Sequence, residues 1–283
     1  MIKDIMKCRS RKKIILDVLV YMILILGSII MIGPFAWMLS TSLKSVDATF
    51  IMPPQWIPKD ITFINYQKVA EVFPMYKFLL NSIFVSVSST LGQLLFCSMA
   101  AYAFARMEFK GRDALFLLYL GTLMVPSQVT LTPLFILMKK LDLANTYRAL
   151  ILPGMFSAFG TFLMRQFFLT IPKSLEEAAF IDGAGYIRVF FKIILSLSKT
   201  ALATLGIFSF MASWNDFLWP LIITSDIGHM TLPLGLSSLQ GRWTTNWNIL
   251  MAGTLISIVP ILIVYIFAQK YFIKGITLTG IKG

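Results

Sequence analysis

The chain has 283 residues, of which 57% are apolar, 14% aromatic and only 13% charged, with a net charge of +12. That apolar share, with a mean hydropathy of +0.79, exceeds what a water-covered surface allows, and the aromatic content excludes disorder. The basic residues lie between apolar runs, which points to membrane topology and anionic lipid heads and away from nucleic acid.

A helix crosses a bilayer in about 20 residues. The basic N-terminus, 1–17, carries Arg9, Arg11, Lys12 and Lys13 and is followed by the first charge-free run, 18–43. This run is too long for a signal-peptide core and lacks a small-residue cleavage site, so it reads as a retained span. Segment 44–77 is read as extracytoplasmic. Pro53, Pro54 and Pro58 break it, and Asn65 to Phe73 predicts a short surface helix.

Region 78–269 holds five more runs, 78–105, 114–138, 149–171, 201–225 and 243–269, in which Arg165 and Asp216 are the only charges. Segment 270–283 is read as a cytoplasmic C-terminal tail. The runs are continuous rather than alternating, which excludes a β-barrel. The fold class expected is therefore all-α, a polytopic bundle of six transmembrane spans. Pro126 and Pro133 fall within one run and predict a bent helix.

Six spans put both termini on one side. If that side is the cytoplasm, the inside segments 1–17, 106–113, 165–200 and 269–283 hold 17 Lys and Arg in 76 residues. The outside segments 44–77, 139–148 and 224–246 hold 8 in 67. Basic residues concentrate inside, so both termini are assigned to the cytoplasm of a multi-pass cell-membrane protein.

Reactive chemistry is sparse. Two cysteines, Cys8 and Cys97, do not make a disulfide framework, and a lone His229 cannot build a histidine metal site or an HExxH pair. No glycine-rich phosphate loop precedes a Lys-Ser or Lys-Thr. No catalytic residue, metal or cofactor is assigned. An ion-coupled secondary carrier keeps titratable groups in its spans, and here only Asp216 qualifies. If transport uses energy, it is therefore expected to arrive from another subunit, with an ion-coupled secondary carrier as the alternative.

The longest inside segment, 165–200, carries the sharpest local signal. After Pro172, Ser174 and Glu177 are spaced as a capping box. Leu175, Ala178, Ala179 and Asp182 fall on one helical face, and Gly183 stops the helix. A helix of about two turns is not stable in isolation and needs a surface to dock on. Tyr186 to Ser198 follows as an amphipathic helix suited to the inner membrane interface, with Ile187, Phe190, Phe191, Ile194 and Leu197 on one side and Arg188, Lys192 and Lys199 on another.

The phrase IPKSLEEAAFIDGA resembles the EAA loop of inner-membrane subunits of ATP-binding-cassette importers, in the version of maltose-type sugar-uptake permeases. LLNSIFVS at 79–86, AAYAFARMEFKGRD at 100–113, FLMRQFF at 162–168, WNDFLWPLIIT at 214–224, TLPLGLSSLQG at 231–241 and IKGITLTGIKG at 273–283 are similar to the same family. The resemblance implies a permease subunit forming half of a sugar translocation path. Its implied partners are ATP-binding-cassette ATPase subunits, a second related permease, an extracytoplasmic solute-binding protein and membrane lipid.

The resemblance also assigns Glu177, Ala178, Ala179, Asp182 and Gly183 to the ATPase-coupling helix, about 174–183. A non-sugar solute such as glycerol phosphate remains open. Where the family has prolines, this chain has Ser196 and Thr200, so a softer break is expected before the next span. Phe84, Phe104 and Trp219 have the chemistry to stack on sugar rings. Asn81, Asn215 and Asp216 have the chemistry to hydrogen-bond a solute. Packing and interhelical bonding use the same groups, and no substrate site is placed.

Overall fold

Apolar periodicity becomes helix throughout the computed structural model, which describes residues 11–241 and 245–279. Cys8, Arg9, the predicted start of the sixth run at Trp243 and the end of the 273–283 motif lie outside them. In chain order the helices are α1 (Arg11–Ser42), α2 (Val46–Thr49), α3 (Ile64–Val72), α4 (Met75–Arg106), α5 (Arg112–Gly121), α6 (Ser127–Lys140), α7 (Tyr147–Ile151) and α8 (Ala158–Thr170). There follow α9 (Ser174–Ile181), α10 (Tyr186–Leu197, with a π-helical turn at Phe190–Ile194), α11 (Lys199–Trp214), α12 (Leu218–Ile223), α13 (Leu232–Ser237) and α14 (Trp247–Thr279). Among the described residues the only β feature is a single bridge between Gln240 and Thr245.

Four stretches are long and apolar enough to cross a membrane: Ile15–Ser42, Met75–Arg106, Tyr147–Thr170 and Trp247–Phe267. Two bent pairs, Arg112–Met124 with Ser127–Lys140 and Tyr186–Leu197 with Lys199–Trp214, bring the number to six. The six-span, all-α architecture read from the sequence is thus the architecture observed.

Some details differ. The fifth run, 201–225, is not one helix. It breaks at Asn215–Phe217, and the Asp216 carboxylate accepts from the Trp219 amide (3.4 Å) at the start of α12. Helix α14 extends past the sixth apolar run into 270–283, as far as Thr279. The helix expected at Asn65 to Phe73 is α3.

The chain divides into two units. The first contains residues 1–72 and 239–255. Most large apolar side chains of α1 from Ile15 to Phe35 stand exposed, as on a lipid-facing helix. The last carbonyls of α1 have no partner within the helix. Two buried asparagines satisfy them: Asn65 donates to Ser42 O (2.8 Å) and Asn248 to Thr41 O (3.2 Å), and each also donates to Lys44 O. Lys44 itself is buried, its ammonium donating to Gln55 O and lying 4.2 Å from the Trp37 ring centre. Burial holds that ammonium below the usual lysine range.

The second unit contains residues 73–238 and 256–283. Its axis is α4. Phe78, Ser82, Val85, Ser89 and Gly92 recur at alternating steps of four and three and are buried. Most of these are small, which lets neighbours approach closely. A Cβ at Gly160 of α8 would lie 3.0 Å from Leu205 of α11 and 3.1 Å from Cys97 Sγ of α4. Cys97 is thus a small buried wedge at the crossing of three helices. The core at this end gathers Ala101, Tyr102, Met164, Phe168, Val189, Ile194 and Leu205.

The two bends have different causes. The 102° bend lies at Val125–Pro126, where proline lacks the donor that would continue the helix. The 81° bend at Ser198 has no proline. The softer break expected from Ser196 and Thr200 is not observed. Hydroxyls engage the helix carbonyls there: Ser196 Oγ reaches Lys192 O (2.7 Å), and Ser198 Oγ reaches Ile194 O (2.6 Å).

Candidate functional site: an exposed two-turn helix on a buried ion pair

Helix α9 leaves the end of α8 through Ile171 and Pro172. The capping box expected between Ser174 and Glu177 is not formed. Lys173, with helical φ and ψ, is the N-cap and makes no side-chain cap. Pro172 is the reason: its fixed φ already suits a first turn, and its carbonyl accepts from Leu175 N (3.3 Å). Ser174 is thereby drawn inside the helix, where its hydroxyl cannot cap. Glu176 and Glu177 still stand in the first turn, favourable to the helix dipole.

The other end matches the sequence reading. Gly183 has φ +77°. Its amide donates to Phe180 O (3.0 Å), and the Ala184 amide donates to Ala179 O (2.9 Å). This pair of bonds is a Schellman cap, which requires a left-handed residue at that position.

The helix presents two faces. Inward, Ala179 is half-buried against the core and the Glu176 side chain is 8% exposed. Outward stand Leu175, Glu177, Ala178, Ile181 and Asp182. Ala179 therefore does not share the exposed face with Leu175, Ala178 and Asp182 as expected. Ile181 is 86% exposed, and Ile187 beyond the glycine is 77% exposed. Phe180 and Tyr186 pack edge-on across the cap, with ring centres 4.9 Å apart. Of the apolar residues expected on α10, Phe190 and Ile194 are buried, whereas Ile187, Phe191 and Leu197 are exposed. Exposed apolar side chains on so short a helix are what a docking surface requires.

Sequence reasoning missed the residues beneath it. Arg106 ends α4 and is 4% exposed. Its Nε lies 2.7 Å from Glu176 Oε1, and its guanidinium donates to Phe168 O and Ile171 O at the end of α8. The Tyr102 hydroxyl donates to Glu176 Oε2 (3.3 Å). The available signal was the arginine closing an otherwise charge-free run and the second glutamate of the Glu-Glu pair.

A groove of 340 Å³ is lined in part by Ser89 and Gln93 of α4. Ser89, Gln93, Ser127, Thr130, Ser209 and Ser213 give it hydroxyl and amide groups, Phe156 and Trp219 give it rings, and Asp216 is the one charged group among its lining residues. Trp219 is buried and donates its indole N–H to Ala149 O (2.9 Å). The other groups considered for ligands have structural partners. Asn81 donates to Gly228 O and Met230 O and accepts from the Tyr147 hydroxyl. Asn215 donates to Met211 O. Phe84 packs edge-on against Tyr147, and Phe104 packs with Phe116.

Comparison with known proteins agrees with this architecture. Residues 93–278 match the model of the family described as "binding-protein-dependent transport system inner membrane component". The chain is 42% identical over 244 residues to the arabinooligosaccharides transport system permease protein AraQ of Halalkalibacterium halodurans, covering 86% of each chain. It is 35% identical over 270 residues to the sn-glycerol-3-phosphate transport system permease protein UgpE of Pectobacterium atrosepticum, covering 92% of this chain and 96% of that one. A chain in the crystal structure of a bacterial ABC transporter importing the acidic polysaccharide alginate superposes with a TM-score of 0.84 at 25% identity, over 94% of this chain and 99% of that one. The chain belongs to the binding-protein-dependent transport system inner membrane component family and is a multi-pass permease subunit of an ABC importer.

Proposed function

We propose that this subunit forms half of the translocation path of an ATP-driven importer for a neutral oligosaccharide, coupled to a separate ATPase subunit through α9. The exposed, Schellman-capped α9 carries the coupling part of this reading: Glu177, Ala178, Asp182 and Gly183 lie on or beside its open face, while Ala179 holds it to the core. A second permease completes the path and a solute-binding protein delivers the sugar. A related fold occurs in a bacterial alginate ABC transporter complexed with a pentasaccharide-bound periplasmic protein, which is in keeping with delivery by such a protein. The density of Lys and Arg favours cytoplasmic 1–17 and 270–283, an extracytoplasmic 44–77 and a five-span core at 78–269.

The groove favours neutral solutes. Hydroxyls and amides match sugar hydroxyls, and rings match sugar faces. Glycerol phosphate is the second reading, because relatives at 35% identity carry that name. Its phosphate would face Asp216 with no Lys or Arg in the groove lining to offset the repulsion. Uptake of labelled arabino-oligosaccharide and of labelled glycerol 3-phosphate, in cells with and without this chain, separates the two. Loss of oligosaccharide uptake alone is expected. Loss of glycerol phosphate uptake alone overturns the neutral-sugar reading.

A further inference from the structure

We propose that Arg106 and Glu176 are a positioning pair that carries movement of α9 into α4 and the end of α8. The inference rests on the reading of α9 as the ATPase-docking helix and names the link behind it. Covalent connection alone is a poor lever. The chain enters α9 through the Ile171–Pro172 turn and leaves it through left-handed Gly183, so both ends of the helix are turns. A rigid connection must come from the inward face.

Three helix termini meet at this point. Arg106 sits in the last turn of α4 and donates to Phe168 O and Ile171 O at the end of α8. Both places favour a cation. Glu176 sits in the first turn of α9, a place that favours an anion. The ion pair joins these termini at 2.7 Å with both side chains nearly withdrawn from water. Tyr102, one turn before Arg106 on α4, holds the second carboxylate oxygen. The planar guanidinium fork thus engages two elements at once, which a lysine cannot reproduce. A displaced α9 must either drag α4 and α8 with it or leave a buried charge without its partner.

The test uses the whole transporter, with ATPase, second permease and binding protein, reconstituted in proteoliposomes. Complex yield, ATP hydrolysis stimulated by substrate-loaded binding protein, and solute imported per ATP are measured. Glu176→Gln is expected to retain the ATPase in the complex while solute imported per ATP falls about tenfold. Glu176→Asp, which keeps the charge, should recover much of that ratio. If Glu176→Gln fails to assemble, Arg106→Lys, which keeps the charge but not the fork, reads the same ratio. A fall in hydrolysis and uptake strictly in proportion to complex yield, or an unchanged ratio in the variant that assembles, overturns the positioning role. Ala178→Asp serves as the separate control. Undiminished ATPase binding and uptake in that variant would sink the docking reading itself, whatever the ratio for Glu176→Gln.

Discussion

Gly183→Val is expected to reach the membrane at the wild-type level and to import solute at about a tenth of the wild-type rate or less. Gly183 holds φ +77°, and the Schellman cap of α9 depends on it. An added Cβ would meet no neighbour within 4 Å. The penalty is therefore conformational, roughly 1–2 kcal/mol for a left-handed L-residue and most for a β-branched one. The helices packed around α4 absorb that amount. A two-turn helix has almost no stability of its own, so its exit path and outward face are lost first. Gly183→Asn, which tolerates the left-handed region, should retain most uptake. Immunoblot of membranes beside initial uptake rates checks both variants. Wild-type uptake by Gly183→Val at normal abundance would remove the glycine from the coupling account.

Ala178→Asp is expected to abolish copurification of the ATPase without changing the thermal stability of the isolated subunit. Ala178 is exposed in the chain alone, so an aspartate there meets water. On the proposed docking, the ATPase surface that covers Leu175 and Ile181 would also cover this carboxylate. An unpaired charge buried in this way costs roughly 3 kcal/mol or more, a loss of about 100-fold or greater in affinity. Ala178→Ser adds no charge and should bind nearly normally. Affinity capture of the complex, with ATPase quantified per permease, checks the contrast. An equal ATPase yield for Asp and Ser would show that this face is not enclosed.

Most of the fold was legible because each span is a long apolar run and span length is set by bilayer thickness. The bend at Pro126 was legible for the same kind of local reason, a missing donor. What escaped depends on contacts distant in sequence. Arg106 and Glu176 are 70 residues apart along the chain but 2.7 Å apart in space, and nothing in the periodicity of either helix announces the pair. The inward turn of Ala179 follows from that anchor.

Ser174 and the bend at Ser198 failed differently. The local rule was sound, but a neighbouring group met the same need. Pro172 starts α9 before Ser174 can cap it, and at the bend the hydroxyls of Ser196, which stands where the family has proline, and of Ser198 engage helix carbonyls. The single apolar face read on α10 is divided in the structure, with Phe190 and Ile194 packed in the core and Ile187, Phe191 and Leu197 exposed.

Cross-linking from Ile181, the most exposed apolar residue of α9, tests the docking claim most directly. A photoreactive amino acid is placed at position 181 in the assembled transporter within intact cells, with position 179 as the half-buried control. The account predicts an adduct between this subunit and the ATPase from position 181, and little or none from position 179. Adducts from position 181 with the solute-binding protein, or labelling of that position by a membrane-impermeant reagent added outside, would contradict it.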